Sequence, residues 1–314
     1  MKKILMGIMC SLVFVGAHAQ GNIIKMIVAF PPGGPVDSMA RSLLEPLGKE
    51  LNAQIVIENK PGGNGAIAAE YLAANPADGK MIWFTSAGAV AINPGLYEKI
   101  SYNPLKDLAP VSLVANNVEV LVVNPANPAN NAVEFIALAK KGNLTMGSSG
   151  TGSVPHLALE QLNDSANLKI LHVPYKGAAP AITDVMAGHV DGFFGDIPGL
   201  ISYINSSKLK PIGLAAEKRN VAIPDVKTFN EMGIKGVDTN NWYAAFVKAG
   251  TSKADIDRLS AAFNKIVKQE PLNSKLTQAG SEPVGSTPEE LGNTLKKDIA
   301  KWTKLIKSKK ITAE

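Results

Sequence analysis

Short strand-like segments alternate with helical segments along almost the whole chain, and this alternation limits the possible folds more than any other feature. Residues 25–51, KMIVAFPPGGPVDSMARSLLEPLGKEL, show the repeating unit: an apolar run, a turn of glycines and prolines, and a helix with an apolar residue every four positions. Strands alternating with helices predict an α/β architecture with mainly parallel sheets. Pro46 cannot donate a helical hydrogen bond, so we expect a kink or an early end of this helix.

The same unit begins again near residue 110, and a strand with a long helix returns after Pro224. We therefore predict that residues 20–121 and 227–314 form one lobe, and that residues 122–226 form a second, inserted lobe. Each lobe would be a sheet flanked by helices, and two chain crossings would form the hinge. Such a pair of lobes has a natural ligand site in the cleft between them, where carboxyl ends of strands meet helix N-termini.

The first residues predict the compartment. Lys2 and Lys3 precede an apolar run and a small-x-small sequence that ends at Ala19, so we predict a signal peptide over residues 1–19, cleavage before Gln20, and a periplasmic protein. Cys10, the single cysteine, lies in this segment, which excludes disulfides and thiolate metal sites from the mature chain. The net charge of +5 is a mild excess, and it predicts no nucleic-acid partner.

Two glycine-rich loops, AFPPGGPVD and MGSSGTGSVPH, each join a strand to a helix and place a proline, Pro35 or Pro155, in its first turn. Unpaired amides and the positive end of the helix dipole there favour an anion. Neither loop carries the G-K-[ST] of a nucleotide phosphate loop, and Asp37 would repel a pyrophosphate, so a carboxylate fits better. Asp37 itself is interpreted as a carboxylate that stabilises the helix dipole rather than as a ligand contact. For Asp196, at a strand end, a capping role and a contact with a ligand amino or hydroxyl group are equally open.

Catalysis and metal binding find little support in the sequence. GSSG lacks the G-x-S-x-G frame of a nucleophile elbow. His156 and Glu160 lie four residues apart on one helix, but a capping or surface pair explains them better than a metal site. We predict no enzyme, no cofactor and no bound metal.

Six ordered motifs, which run over essentially the whole mature chain, resemble those of the Bug family, the extracytoplasmic solute receptors of tripartite tricarboxylate transporters. They are IVAFPPGGPVDSMARSL, IVIENKPGGNGAIAAEYLA, NPADGKMIWF, MGSSGTGSVPHLALE, VPYKGAAPAITDVMAGHVDGFF and NWYAAFVKAGTSK. The resemblance implies a two-lobed periplasmic-binding-protein fold, or Venus flytrap, that closes on small carboxylated solutes.

The resemblance also implies a set of site residues. Loops matching residues 30–37 and 148–153 would hold a ligand carboxylate, largely through backbone amides, and other positions would line the rest of the pocket. The predicted ligand-binding residues are Phe30, Pro32, Gly33, Gly34, Asp37, Ser86, Ser148, Gly150, Thr151, Gly152, Ser153, Gly177, Ala178 and Asp196. Many relatives have alanine or glycine near Pro32 and Pro35, so the availability of every amide in the first loop stays open.

We therefore predict a monomeric periplasmic receptor that captures a small carboxylate and delivers it to the membrane permease subunits of such a transporter. Two alternatives remain: a ligand sensor for a signalling kinase, and a secreted serine hydrolase that uses one of the serine loops. The sequence leaves the ligand open among amino acids, di- or tricarboxylates and aromatic acids.

Overall fold

A computed structural model describes residues 22–312, and its strands form two sheets that share one long strand. The strands are β1 (Ile23–Val28), β2 (Gln54–Asn59), β3 (Met81–Ser86), β4 (Leu108–Val123), β5 (Thr145–Ser148), β6 (Leu171–Pro174), β7 (Gly192–Asp196), β8 (Lys210–Leu214), β9 (Asn240–Lys248) and β10 (Ser281–Pro283). The helices are α1 (Pro35–Leu51), α2 (Ala66–Ala73), α3 (Asn93–Leu96), α4 (Pro104–Asp107), α5 (Ala132–Ala139), α6 (Val154–Ala166), α7 (Ala178–Ala187), α8 (Ile197–Asn205), α9 (Lys253–Lys268), α10 (Leu272–Gln278) and α11 (Pro288–Lys309). Shorter helical turns cover Gly63–Gly65, Gly88–Ile92 and Asn230–Met232.

The two sheets meet along β4. The first sheet has the order β2-β1-β3-β9-β4-β10 and the second the order β8-β4-β7-β5-β6. Strand β4 pairs with β9 as far as Val118 and with β7 from Glu119 onward. The predicted α/β class is confirmed, but the pairing is mixed. Strands joined by helices on one side of the hinge run parallel. Strand β4, which pairs in both sheets, and β9, which pairs in the first sheet alone, run antiparallel to their neighbours.

The lobe boundaries of residues 122 and 226 stay a prediction, and the packing favours a larger second lobe. Strand β4 changes sheets three residues before the predicted first boundary. Past the predicted second boundary, Phe229 and Val237 still belong to the apolar core of the second sheet. We therefore place the crossings near Glu119 and Thr239.

Each sheet is covered by apolar residues on both faces, because successive residues of a strand point to opposite sides. In β3, Trp83 packs on one side and Phe84 on the other. One core extends across the lobes: Val154 and Leu157 of α6 pack with the first-lobe side chain of Leu96. The lobes are therefore in direct contact in this structure.

The structure describes the chain from residue 22 to residue 312. The predicted signal peptide, Cys10 and the cleavage site lie outside the described residues. Near the other end, α11 begins as its sequence predicts, with Pro288 at its first position and a reciprocal capping box between Thr287 and Glu290. None of the helices within residues 22–312 is both long and apolar enough to cross a membrane.

Candidate ligand cleft

Four helix N-termini surround one cleft between the two sheets. Helix α1 starts there from the first lobe, and α6, α7 and α8 start there from the second. The cleft encloses about 730 Å³, part of it open to solvent. Most of its wall is apolar, with proline and phenylalanine side chains such as Phe30, Pro31 and Phe193. Because each N-terminus carries unpaired amides and a partial positive charge, the site favours a small anion.

Asp37 braces the first glycine loop from behind instead of facing the cleft. Its carboxylate accepts hydrogen bonds from the Gly33 amide at 2.9 Å, from Arg41 Nε at 2.8 Å and Nη2 at 3.0 Å, and from Asn59 Nδ2 at 2.8 Å. Asn59 also donates to the Phe30 carbonyl at 3.0 Å. Burial alone would raise the pKa of Asp37, but the hydrogen bonds from Arg41, Gly33 and Asn59 outweigh it and lower the pKa.

The two prolines leave few amides of the first loop free. The Gly33 amide is held by Asp37, and the Gly34 amide donates to the Pro31 carbonyl at 3.4 Å. Pro35 occupies the first helical position and has no N–H. The next amide, that of Val36, has no partner within the helix, and Val36 lines the cleft. Val36 therefore offers the amide that the sequence assigned to the glycines.

The second glycine loop bonds mainly to itself and to a histidine pair. Ser148 Oγ lies 2.6 Å from His172 Nε2, and the Gly152 amide donates to His156 Nδ1 at 3.0 Å. The two imidazoles stack with their centroids 3.7 Å apart. Burial lowers the pKa of His156 to about 3 and that of His172 to about 4, so both rings are neutral near pH 7. Ser148 is fully buried, so its contact with His172 gives no route for a nucleophilic attack.

Two carboxyl groups meet where the cleft reaches the hinge. Asp196 ends β7 and lines the cleft, and it is the register partner of Glu119 on β4. Asn241 Nδ2 donates to Asp196 Oδ1 at 2.8 Å, and the Tyr243 hydroxyl donates to Oδ2. Burial raises the pKa of Asp196, and burial together with the nearby Asp196 charge raises the pKa of Glu119 well above its ordinary value.

The structure brings about half of the predicted site residues to the cleft. Those that line it are Phe30, Pro32, Gly34, Ser86, Gly177, Ala178 and Asp196. Those that do not line it are Gly33, Asp37, Ser148, Gly150, Thr151, Gly152 and Ser153. Contact of either group with a ligand stays a prediction.

Further cleft residues were outside the predicted set. They include Pro31, Ser149, Lys176, Asn241 and Tyr243. The signal that marks them is positional: Asn241 and Tyr243 alternate along β9, so they share one face of the strand that enters the hinge. Within the described part of the chain, no group of three or more histidine, cysteine or acidic residues is arranged to hold a metal.

The family model described as "Tripartite tricarboxylate transporter family receptor" matches residues 39–311. The chain belongs to this family. Among relatives, Protein BugT of Bordetella pertussis is 30% identical, with 90% of this chain and 88% of that protein covered. Among solved structures, Rpa4515 of R. palustris with adipate has a TM-score of 0.90 at 28% identity, and 93% of this chain and 99% of that chain are covered. MatC of Rhodopseudomonas palustris with bound malate has a TM-score of 0.85 at 28% identity, with 91% and 99% covered.

Family membership confirms the predicted two-lobed periplasmic-binding-protein fold and the receptor class. The protein is a periplasmic solute-binding receptor. The receptor's cleft, with helix N-termini from both lobes, is the feature that suits this class, because a ligand bound there contacts both lobes at once.

Proposed function

We propose that the receptor captures a small carboxylate in the cleft and delivers it to the permease subunits of a tripartite tricarboxylate transporter. The observation that carries the proposal is the convergence of α1 with α6, α7 and α8 on one cleft. Proteins of the same fold have been solved with malate and with adipate, both of them carboxylates, which supports the same ligand class here.

The available donors suffice for a useful affinity. The second position of α1 and the first two positions of α7 carry amides with no helical partner, and Ser86 and Ser149 add hydroxyl groups. A hydrogen bond to a charged group contributes about 1.5–3 kcal/mol. Four of them, less the ordering costs, approach the roughly 8 kcal/mol of micromolar binding. An arginine in the cleft is therefore unnecessary.

Closure of the lobes would transmit binding to the permease. The lobes already touch at the mouth of the cleft, where Gly177 lies against Pro31 and Gly199 against Pro35. A ligand that contacts both lobes favours this closed arrangement over an open one. The permease would then recognise the closed surface.

Calorimetry and thermal melting with a panel of aliphatic and aromatic acids test the proposal. We expect a Kd in the micromolar range for at least one carboxylate, and stabilisation of about 2.7 kcal/mol at a ligand concentration of 100 times Kd. Ser149→Ala should weaken binding about threefold to tenfold, whereas Ser206→Ala, in an exposed position after α8, should leave it unchanged. A panel in which no acid shifts either the heat of binding or the melting temperature would contradict the proposal.

The same variants separate the receptor from a hydrolase. A hydrolase with a serine nucleophile in this loop would lose ester turnover in Ser149→Ala. The receptor has no turnover to lose, so we expect both the wild type and the variant to leave p-nitrophenyl esters intact. Delivery to the permease requires a transport assay with the reconstituted membrane subunits, in which uptake should depend on the receptor.

A further inference from the structure

Two acidic residues, Asp196 and Glu119, lie at the end of the cleft near the hinge, and a site for a simple carboxylate does not need them. Asp196 lines the cleft at the point where β7 passes into α8, and its side chain is almost completely buried. Beside it, Glu119 is fully buried on the adjoining strand β4. The N-termini of α1, α6 and α7 favour a negative ligand group. The N-terminus of α8 already has Asp196 as its N-cap residue, and Asp196 and Glu119 disfavour a further negative group beside them. The two ends of the cleft therefore have opposite electrostatic preferences.

All hydrogen-bond donors around the acidic pair are neutral. Asp196 accepts hydrogen bonds from the Asn241 side-chain amide and the Tyr243 hydroxyl. Glu119 accepts one hydrogen bond, at 3.4 Å, from the same Asn241 amide. Among residues 22–312, no salt bridge involves either acid. Lys176 lines the same cleft but is exposed and makes no salt bridge with Asp196. Arg41, the arginine nearest the first loop, is paired with Asp37.

The pair also has acceptor capacity that the protein does not use. Glu119 Oε2 is buried and has no hydrogen-bond partner among the described protein groups. Since the pKa of Glu119 is raised, this carboxyl keeps a proton that it can donate to Asp196, which then holds the single negative charge. Each carboxylate oxygen can accept more than one hydrogen bond. Asp196 can therefore still accept from a ligand.

A buried negative charge with only neutral donors is costly unless the group takes up a proton or a cation neutralises it. None of residues 22–312 supplies a cation at this point, and the open cleft adjoins Asp196. We propose that Asp196, backed by Glu119, binds an ammonium group, so that the receptor's preferred ligands are carboxylates that also carry an amino group.

This inference rests on the proposed function, because it needs the ligand carboxylate at the helix N-termini. The ammonium group then lies at the acidic pair. A second carboxylate in that place faces a charge of its own sign, and a hydroxyl group leaves the charge of Asp196 uncompensated. The apolar wall formed by Phe30, Pro31 and Phe193 contacts the carbon skeleton between the two charged groups.

The test compares ligands that differ only at one group. One set is aspartate, malate and succinate, and the other is 6-aminohexanoate, adipate and hexanoate. Calorimetry should give the amino member of at least one set a Kd tenfold or more below that of its partners. For any other acid that binds in the wider panel, the amino-substituted analogue is compared with it in the same way.

Variants show which residue is responsible for the preference for amino-substituted ligands. Asp196→Asn should raise the Kd of the amino ligand tenfold or more and bring it to that of its partners, while Glu119→Gln, which keeps the charge of Asp196, should retain the preference. Asp225→Asn removes the same charge from an exposed position on the second lobe and should change nothing.

The outcomes are distinguishable without the variants, so a poorly folded Asp196→Asn does not weaken the test. If carboxylates bind the wild type and no amino analogue is favoured, the ammonium site is wrong while the proposed function stands. If no carboxylate binds at all, the proposed function itself fails. Persistence of the preference in a folded Asp196→Asn variant would also overturn the assignment.

Discussion

At the residue scale, Asp37 and Asp196 show how two acids beside one cleft serve different purposes. Asp37 is paired with Arg41 and fixes Gly33, whose φ of +81° is one that side-chain-bearing residues rarely adopt. Asp196 lines the cleft and has no cationic partner among residues 22–312. The environment, not the residue type, decides which acid is structural.

Asp37→Asn keeps the size of the side chain and removes its charge. We expect the free energy of unfolding to fall by about 2 kcal/mol near pH 7, because Arg41 and the Gly33 amide lose their anionic acceptor. The pKa of Asp37 is lowered, so its contribution is present above the ordinary value of 3.8 and is lost as the pH falls through the folded pKa. Urea unfolding at pH 7 and at pH 3 should therefore show a difference from wild type that shrinks in acid. Glu45→Gln, which breaks an exposed ion pair with Lys49 on the same helix, is the control and should have no effect.

Glu119→Gln makes the opposite change at a buried acid whose pKa is raised. The folded protein holds this proton more tightly than the unfolded chain, so stability is greatest below the ordinary pKa of 4.5 and decreases as the pH rises towards the folded value. Glutamine imitates the protonated acid at every pH. We expect the variant to match wild type near pH 4 and to exceed it by about 1–3 kcal/mol at pH 8.

The measurement is the unfolding free energy of both proteins across that pH range. Asp196 is the charged group that faces Glu119 from β7, and β9 contributes the neutral Asn241. Glu282→Gln, at an exposed position on β10, should keep the wild-type pH dependence. A constant difference between Glu119→Gln and wild type at all pH values would contradict a buried, titrating pair.

Sequence reasoning separated these roles only in part. Arg41 lies one helical turn from Asp37, so their pairing is readable from spacing. Asn59 is on the next strand and meets Asp37 only because β1 and β2 are parallel neighbours. The pairing of Glu119 with Asp196 depends on the register of two strands far apart in sequence, which no local pattern contains.

At the scale of elements, helix starts were predictable and sheet partners were not. Glycine-rich loops with a proline precede the starts of α1 and α6 as predicted, because the backbone restrictions of proline and glycine act locally. Of the kink or early end expected at Pro46, the early end does not occur, since the helix continues to Leu51. Leu43, Leu47 and Leu51 are buried against the first sheet, and this packing outweighs one missing hydrogen bond.

Contact between α8 and the start of α1 yields an element-scale prediction. A Cβ added to Gly199 would lie 2.5 Å from Pro35 Cγ, across the mouth of the cleft. Gly199→Ala should therefore oppose closure and raise the ligand Kd about tenfold. Alanine also favours the helix by roughly 1 kcal/mol, so the melting temperature of the ligand-free protein should not fall.

Gly292→Ala is the matched control for this change. Gly292 is also helical, in α11, and a Cβ there would make an ordinary contact of 3.6 Å with Pro110. Both variants gain the same helix propensity, so only steric opposition at the cleft distinguishes them. Equal ligand affinities in the two variants would show that the contact between Gly199 and Pro35 does not take part in closure.

At the scale of the whole molecule, the two-lobed fold was predictable from the repeated strand–helix pattern. The residues at which the chain passes from one lobe to the other were less predictable. Residues 227–239 have no regular pattern of their own. The packing of Phe229 and Val237, together with backbone hydrogen bonds between residues 227–229 and Leu214 of β8, assigns them to the second sheet. That β4 serves both sheets depends on its neighbours, since its sixteen residues form one uninterrupted strand.

The lobes contact each other in this structure, and an open arrangement must break contacts between them. These include the salt bridge between Lys309 and Asp164 and the packing of Leu96 against Gly152. A bound ligand adds contacts to both lobes, so we expect the ligand-free protein to populate the open state as well as the closed one.

Spin labels at Leu105→Cys and Val133→Cys, both exposed and on opposite lobes, can measure this in a Cys10→Ser background. Without ligand we expect two distances by double electron–electron resonance, and with saturating ligand the shorter one alone, because only the closed state contacts the ligand from both lobes. Adding Gly199→Ala should move the ligand-free population to the longer distance, whereas adding Gly292→Ala should not. A single distance that neither ligand nor Gly199→Ala alters would mean that the lobes are rigid, and that binding reaches the permease by some route other than closure.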